Sequence, residues 1–299
     1  MPKQQPAYIQ AYETGLLQQN AEKAHTALGN CTLCPRDCEV DRLTDETGIC
    51  KTGERAILAS YAPHFGEESP LVGHYGSGTI FFTHCNLLCT FCQNYDISHE
   101  GLGREMSKSH LARIMLELQN MGCHNINFVT PSHVVPQILS ALEIAVKHGL
   151  NIPLVYNSGG YDHVSTLELL DGIVDIYMPD LKFFDREVAS RTCHASDYPE
   201  IVKKAIREMY RQVGELKIKN GLAYRGLLIR HLVMPGMVKD SEKVLEFIAK
   251  EISKETYVNI MPQYHPAGTE SQFNRRITRE EFENTLKVAR DKGLINIEL

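Results

Sequence analysis

Short apolar runs alternate with amphipathic segments from residue 79 to the end of the chain, and this alternation restricts the fold more than any other feature. Apolar strands alternating with amphipathic helices imply a parallel sheet with helices outside, linked by right-handed crossovers. The predicted units pair strand 79–84 with helix 107–121, strand 125–130 with a helix ending at Gly149, strand 152–157 with helix 164–171, strand 173–179 with helix 199–213, strand 226–234 with helix 240–252, and strand 256–262 with helix 279–292. Six units are fewer than the eight of a closed barrel, so we predict an α/β fold with an open three-quarter (β/α)6 barrel.

Two segments precede this predicted barrel, which occupies residues 76–299. Residues 1–30 have moderate helical spacing of apolar residues and are predicted to form a helical arm on the surface rather than a core element. Residues 31–75 form a small Cys-rich extension, in which a cysteine knuckle is followed by a Gly- and Pro-rich connector. That composition predicts an irregular connector or short antiparallel strands, and a domain boundary near residue 75.

Composition limits the classes of function. The chain has 299 residues, 43% of them hydrophobic, which is enough for one sizeable core. A formal net charge of −6 argues against strong sequence-independent attraction to nucleic acid or to an anionic membrane. The N-terminus does not have the basic start and apolar run of a signal peptide, so we predict a cytoplasmic protein without a membrane span. In that compartment the nine cysteines are better explained as metal ligands than as disulfides.

Three cysteines directly follow the first predicted strand, in the spacing C-x3-C-x2-C: Cys85, Cys89 and Cys92. Three thiolates on one short loop can hold three irons of a [4Fe-4S] cluster and leave the fourth iron open to a substrate or cofactor. The alternative is zinc, but a structural zinc site needs four ligands, and no fourth Cys or His follows at short range. The loop lies where barrel enzymes place their chemistry, at the carboxyl end of a strand.

A second group of cysteines lies within 20 residues near the N-terminus, and its members are Cys31, Cys34, Cys38 and Cys50. Pro35 and Gly48 supply the tight turns that a local knuckle needs. The pattern suits a structural zinc ion, a second iron–sulfur cluster or thiols without metal, and the sequence leaves all three open. A second cluster would offer an electron path.

The loop that contains Cys85 resembles the signature of the radical S-adenosylmethionine (SAM) superfamily, with Phe91 at the aromatic position before the third cysteine. Residues 92–96, Cys-Gln-Asn-Tyr-Asp, resemble the branch with the activating enzymes of glycyl radical enzymes. Within it, the chain is most similar to pyruvate formate-lyase activating enzyme-like proteins with an N-terminal cysteine cluster. The resemblance implies a partial barrel, a [4Fe-4S] cluster and SAM, whose amine and carboxylate chelate the open iron. Reductive cleavage of SAM then yields a 5′-deoxyadenosyl radical that abstracts hydrogen from the substrate.

The resemblance also implies roles for residues at the ends of strands two to four. Relatives bind the SAM amino group with Gly-Gly-Glu after strand two, and this chain has Thr-Pro-Ser-His there. We predict that the carbonyls of this stretch and the Ser132 hydroxyl take that role, and that His133 opens the next helix. Asp180, with Asn157, Ser158 and the carbonyl of Met178, is implied to hold a monovalent cation, and Lys182 to meet the SAM carboxylate. A purely structural ion pair between Asp180 and Lys182 is the alternative.

Strands five and six carry further candidates. Arg230 lies inside an apolar run and needs an anionic partner, and the resemblance assigns it the SAM carboxylate. His231 points to the opposite face and is predicted to be a packed core histidine. His265 aligns with a histidine that lines the cofactor site, with stabilisation of a turn as the alternative. Gln263 and Tyr264 are predicted to face the substrate.

The remaining reactive and charged residues have simpler interpretations. Cys123 and Cys193 stand alone in the sequence and are predicted to be small buried hydrophobic residues. Basic residues on one helix and its tail are predicted to form a solvated face, and they are Lys203, Lys204, Arg207, Arg211 and Lys217.

These features predict a radical SAM oxidoreductase that uses an external electron donor of the flavodoxin or ferredoxin type. Its substrate is either a backbone glycine of a glycyl radical enzyme partner, or a peptide or small metabolite enclosed in the pocket. A different class remains as an alternative, namely a non-catalytic iron–sulfur electron carrier or zinc-binding module. The open-iron spacing and the polar strand ends argue against that class.

Overall fold

The computed structural model describes residues 5–266 and 273–298, so the predicted segments 1–30 and 76–299 each include residues outside those ranges. The described strands are β1 (Ala56–His64), β2 (Ser77–Phe82), β3 (Arg104–Met106), β4 (Ile126–Val129), β5 (Leu154–Ser158), β6 (Ile176–Pro179), β7 (Lys217–Lys219), β8 (Leu222–Leu232), β9 (Tyr257–Met261) and β10 (Ile297–Glu298). The described α-helices are α1 (Ala7–Glu13), α2 (Leu16–Thr26), α3 (Ser69–Val72), α4 (Tyr95–Ser98), α5 (Lys108–Asn120), α6 (Val135–Lys147), α7 (Val164–Glu168), α8 (Arg186–Cys193), α9 (Tyr198–Val213), α10 (Val238–Phe247) and α11 (Arg279–Asp291).

The strands form one open sheet in the order β10-β9-β8-β6-β5-β4-β2-β1-β3, with β7 paired to β8. Neighbouring strands from β2 to β10 along this order are parallel. The six predicted strands are β2, β4, β5, β6, β8 and β9, each followed by a predicted helix. The predicted α/β fold with an incomplete parallel barrel is therefore confirmed.

Local sequence explains why the predicted helices form where they do. Ser107 caps α5, because its hydroxyl accepts a hydrogen bond from the His110 N–H. The apolar residues of α5 recur at helical spacing and are buried against the sheet. Gly122, with φ of 93°, takes the left-handed conformation just after this helix. Thr278 and Glu281 form a capping box at the start of α11.

The first two helices correct the prediction of a surface arm. Tyr8 and Leu17 are fully buried in the main core, and the Tyr8 hydroxyl donates to the Ile152 carbonyl at 2.8 Å. The Ala7 N–H donates to Asp175 at 2.8 Å. The helices join the core because their apolar faces pack against α6.

The connector contributes a full strand to the sheet. β1 pairs antiparallel with β2, and β3 pairs antiparallel with β1. The sequence predicts short antiparallel strands here as one of two options, and β1 has nine residues. Because β1 precedes residue 75 and β2 follows it, the two sides of the predicted domain boundary share one hydrogen-bonded sheet. No helix among the described residues has the length and apolar character needed to cross a membrane.

Candidate active site

The three cysteines of the C-x3-C-x2-C loop lie directly after β2 and line one cavity. The loop backbone is left-handed at His84 and Leu88, with φ of 66° and 54°. Two backbone hydrogen bonds hold it, since the His84 N–H donates to the Ile97 carbonyl at 2.8 Å and the Thr90 N–H donates to the Thr192 carbonyl at 2.7 Å. The loop therefore presents its thiols at the carboxyl edge of the sheet.

Burial and hydrogen bonds control the chemistry of these thiols. Burial raises the pKa of Cys85 to about 12, so the free thiol is protonated near neutral pH. The Leu87 N–H points at Cys85 Sγ from 3.4 Å, and the Ser98 hydroxyl points at Cys92 Sγ from 3.3 Å. A metal bound by these cysteines would replace the thiol protons, and the Leu87 N–H and Ser98 hydroxyl would stabilise the charge on sulfur.

A cavity of about 380 Å³ adjoins the loop and has the volume of a small-molecule site. Polar residues from five strand ends line it, as expected where parallel strands end together. They are Thr130 after β4, Asn157 and Ser158 in β5, Asp180 and Lys182 after β6, Arg230 in β8, and Gln263 after β9.

Asp180 is at the centre of a charged network on the cavity wall. Arg230 donates to Asp180 Oδ1 at 2.9 Å and to Asn157 Oδ1 at 2.8 Å, and Lys182 Nζ donates to Asp180 Oδ2 at 2.6 Å. Burial opposes ionisation of Asp180, but the two cations hold its pKa below the usual range. The anionic partner that Arg230 needs is thus found within the chain, and so is the structural Asp180–Lys182 pair. A monovalent cation on Asp180 stays a prediction.

Two carboxylates that sequence reasoning missed join this network. Glu67 Oε2 lies 3.8 Å from Arg230 Nη1, and Glu68 Oε1 lies 3.9 Å from Arg230 Nε. Glu67 lines the cavity, and burial raises its pKa. Asn259 donates to Glu68 at 2.9 Å. Both glutamates lie in the connector before β2, where no local pattern marks them, so only the fold brings them to Arg230.

Ser132 is not among the described residues that line the cavity, and its contact with the SAM amino group stays a prediction. It is buried beneath the wall beside Asp162, and its hydroxyl helps to lower the pKa of that buried carboxyl, which burial raises. Ser158 Oγ also donates to Asp162, at 2.7 Å. A buried carboxylate needs donors of the kind that Ser158 supplies. The neighbouring Thr130 lines the wall instead.

Residues 263–265, just after β9, lie in three different environments: the cavity, the core and solvent. Gln263 lines the cavity as predicted. Tyr264 does not face a substrate, because its ring is buried against Phe91 and its hydroxyl donates to the Phe273 carbonyl at 2.7 Å. His265 is exposed and is not among the described residues that line the cavity, and its role at the cofactor site stays a prediction.

Cys193 is a fourth thiol beside the cluster loop. It ends α8, which was not predicted, and it is buried, as expected for a small hydrophobic residue. Its Sγ lies 3.5 Å from Cys89 Sγ, although 104 positions separate the two cysteines. No short-range spacing could have revealed this contact. Cys123 is also buried, as predicted.

The two histidines near the strand ends are both buried. His231 Nδ1 lies 2.7 Å from the Leu181 carbonyl and its Nε2 lies 2.8 Å from Ser241 Oγ, so the prediction of a packed core histidine is confirmed. His133 directly precedes Val134, the N-cap residue of α6, so it lies at the start of this helix as predicted. Its Nε2 lies 2.9 Å from the Thr83 carbonyl at the end of β2.

Acid is expected to destabilise the protein through His231. Burial lowers the pKa of His231 from 6.5 to about 4. The unfolded chain therefore binds this proton more tightly, and the contribution of His231 to stability, complete above pH 6.5, is lost as the pH falls toward 4. At pH 5 the loss is about 2 kcal/mol. Urea unfolding of the wild type and of His231→Gln at pH 7.5 and pH 5 measures it. Equal pH dependence in the two proteins would contradict this assignment.

A family model described as the radical SAM superfamily matches residues 79–248, which is more than half of the chain. The chain belongs to the radical SAM superfamily. It is 33% identical over 297 residues to the uncharacterized protein MJ0674 of Methanocaldococcus jannaschii, covering 96% of this chain and 82% of that relative. The narrower assignment to activating enzymes stays a prediction.

Two solved structures are more distant. Native anSMEcpe with bound AdoMet has a TM-score of 0.49 and 15% identity, and the match covers 72% of this chain and 61% of that one. Methylornithine synthase (PylB) has a TM-score of 0.45 and 13% identity, covering 72% and 62%.

Membership of the superfamily implies a [4Fe-4S] cluster and SAM, and the residues present fit both groups. Three thiols from one loop line the same cavity, with an N–H donor to one and an O–H donor to another. The wall beside them carries cations that suit a carboxylate, Arg230 and Lys182, and carboxylates that suit an amine, Asp180 and Glu67. Radical SAM membership and this donor set together identify the chain as an enzyme.

Proposed function

We propose that this radical SAM enzyme abstracts hydrogen from a backbone glycine of a partner protein, as the resemblance to activating enzymes of glycyl radical enzymes suggests. The size of the cavity is the observation that carries the proposal. At about 380 Å³ it lies near the lower limit of sites that bury one drug-sized ligand. A cavity of this volume favours a substrate that reaches in from outside once SAM is bound.

Exposed aromatic residues beside the cavity support a protein substrate. Phe65 is 62% exposed and Tyr95 is 48% exposed. Each is next in sequence to a residue that lines the cavity, Phe65 to Gly66 and Tyr95 to Asn94. Large exposed apolar side chains beside an opening are typical of protein interaction sites.

Different residues of the site bind the cluster and SAM. Cys85, Cys89 and Cys92 hold three irons of the cluster. Arg230 and Lys182 face the carboxylate of SAM, and the carboxylates beside them accept hydrogen bonds from its amine. When bound, the cluster and SAM supply the electron and the 5′-deoxyadenosyl radical that removes the substrate hydrogen. The electron comes from a flavodoxin- or ferredoxin-type donor in the cytoplasm, and no nucleic acid takes part.

Deuterium transfer tests this proposal. Reduced, reconstituted enzyme is incubated with SAM and with peptides that contain glycine deuterated at the α-carbon, and 5′-deoxyadenosine is analysed by mass spectrometry. We expect deuterium in 5′-deoxyadenosine from glycine within a peptide and none from free deuterated glycine.

Variants of the two exposed aromatic residues beside the cavity test whether the substrate is a protein. Phe65→Ala and Tyr95→Ala should raise KM for the peptide severalfold and leave cleavage of SAM without peptide unchanged, because neither residue lines the cavity. Transfer from a deuterated small metabolite, with none from any glycine peptide, would replace this proposal by the enclosed-metabolite alternative.

A further inference from the structure

Two thiols from distant parts of the chain meet behind the cluster loop. Cys193 ends α8, and its Sγ lies 3.5 Å from Cys89 Sγ. We propose that these two cysteines form a reversible disulfide when the loop holds no cluster and peroxide enters the cavity. The disulfide protects Cys89 from irreversible oxidation and blocks cluster assembly until a dithiol reduces it. Its formation needs neither SAM nor a substrate, so it is independent of the proposed function.

The backbones of the two segments are tied to each other. The Thr90 N–H donates to the Thr192 carbonyl at 2.7 Å, and these two residues adjoin the two cysteines. The Arg36 guanidinium bridges the same segments, because it donates to the Leu87 carbonyl at 3.2 Å and to the Cys193 carbonyl at 3.0 Å. These hydrogen bonds hold the cluster loop and the end of α8 side by side, so the two thiols stay within reach of each other.

The distance between the two sulfurs is short enough for a bond to form after a small movement. A disulfide bond is about 2.0 Å long, so the sulfurs must approach each other by about 1.5 Å. Rotation about χ1 of either cysteine moves its sulfur by more than that distance. The sulfurs therefore close this gap by side-chain rotation while the two backbones stay together.

The two thiols differ in their access to the cavity. Cys89 lines the cavity of about 380 Å³, so a small oxidant that enters the cavity reaches this sulfur first. Cys193 is fully buried and is not among the described residues that line the cavity. Redox-sensitive cysteines are often placed next to a second cysteine that resolves the oxidised form as a disulfide. Cys89 is therefore the thiol that peroxide oxidises, and Cys193 is the thiol that resolves it.

Peroxide supplies the oxidising equivalents for this reaction. Hydrogen peroxide converts the Cys89 thiol to a sulfenic acid and releases one water. The Cys193 sulfur then attacks the Cys89 sulfur, the S–S bond forms, and the hydroxyl group leaves with the Cys193 proton as a second water. A dithiol of the thioredoxin class reverses the change, because it gives two electrons and two protons to the pair and itself becomes a disulfide. Without Cys193, further peroxide converts the sulfenic acid to a sulfinic acid, which a dithiol does not reduce.

The N-terminal cysteines lie apart from this pair and determine which measurement is informative. A separate cavity of about 10 Å³ is lined by Cys31, Cys34, Cys38 and Cys50, and the metal they bind stays a prediction. Peroxide can oxidise these thiols as well, so a count of free thiols does not report the proposed bond. Peptide mapping does, because trypsin releases Cys193 in peptide 192–203 and Cys89 in peptide 56–104.

Mapping of the full-length protein tests the bond directly. Protein freed of metal by a chelator is treated with hydrogen peroxide under argon, alkylated and digested without reduction. We expect peptides 56–104 and 192–203 to be joined, and to separate after dithiothreitol. Reconstituted enzyme that has not met peroxide should show them separate, because its Cys89 binds iron.

A variant identifies the cysteine that Cys193 joins. In Cys85→Ser/Cys92→Ser, Cys89 is the only cysteine of its peptide, and the joined pair should still form. Loss of the pair in this variant would show that Cys193 reacts with Cys85 or Cys92. That result, or the absence of joined peptides in the treated wild type, would overturn the proposal.

Cys193→Ala tests the protective role. Under argon this variant should take up as much iron as the wild type, because the three loop thiols are intact. After peroxide, Cys89 should carry two added oxygens, and treatment with dithiothreitol and fresh iron should restore severalfold less iron than in the wild type. Low iron uptake under argon would show that Cys193 is instead a cluster ligand, and equal recovery in the two proteins would refute the protection.

Cys123→Ala is the matched control. Cys123 is also buried, and it lines neither the cavity beside the cluster loop nor the one among the N-terminal cysteines. Its variant should form the Cys89–Cys193 bond and recover iron as the wild type does. Matching circular dichroism spectra of the two alanine variants serve as the folding check.

Discussion

Cys89→Ala is expected to abolish formation of 5′-deoxyadenosine and to remove about four irons per chain. A loop with three thiols holds three irons, and without Cys89 one iron loses its ligand from the loop. The double variant Cys89→Ala/Cys193→Ala also removes the neighbouring thiol, which lies 3.5 Å from Cys89 Sγ. Iron and sulfide assays, together with chromatography of 5′-deoxyadenosine after reduction by dithionite, measure both effects.

Cys123→Ala is the matched control for this experiment. Cys123 is equally buried and lines neither cavity, so its variant should keep both iron and activity. Full iron content in Cys89→Ala would show that the loop is not the ligand set. Iron without any 5′-deoxyadenosine in the wild type would favour the non-catalytic electron carrier.

Asp180→Ala is expected to lower the free energy of unfolding of the apo-protein by about 3 kcal/mol. The change leaves Arg230 and Lys182, with side chains 19% and 15% exposed, without their shared carboxylate. Glu67 and Glu68 remain near Arg230, at 3.8 and 3.9 Å, and keep the loss near the lower end for broken buried pairs. Urea denaturation measures the difference.

A surface ion pair supplies the comparison. Asp171 pairs with Arg211 at 2.7 Å, but the two side chains are 42% and 56% exposed. Asp171→Ala should therefore change stability by about 1 kcal/mol or less. The double variant Asp180→Asn/Lys182→Met removes one charge of each sign and should recover part of the loss. If Asp180→Ala and Asp171→Ala lowered the free energy of unfolding by equally small amounts, Asp180 would not be the centre of a buried network.

The basic residues near Arg211 show what a charge pattern predicts about a helix and what it does not predict. The predicted solvated face around Arg207 and Arg211 lies at the surface, as the helical spacing indicates. Its residues are also held by partners from other elements, since Arg207 pairs with Glu251 and Lys203 lies 4.1 Å from the centre of the Phe184 ring. Helical spacing predicts which residues share a face, but not what that face meets.

The sequence by itself determined the features that depend on residues close together in the chain. The six strand–helix units follow from local apolar periodicity, the ends of α5 follow from Ser107 and Gly122, and the cluster loop follows from the spacing of its three cysteines. These signals can be recognised from the sequence alone because each depends on residues within about 20 positions of one another.

Only the tertiary structure decided which distant residues meet. It brought Glu67 to Arg230, Cys193 to Cys89, and Arg36 to the carbonyls of Asn86 and Leu87. It also buried Ser132 and left His265 exposed, which their positions in the sequence do not reveal. The physical reason is that a buried charge or thiol is satisfied by whatever packs against it, and strand order rather than distance along the chain sets that neighbour.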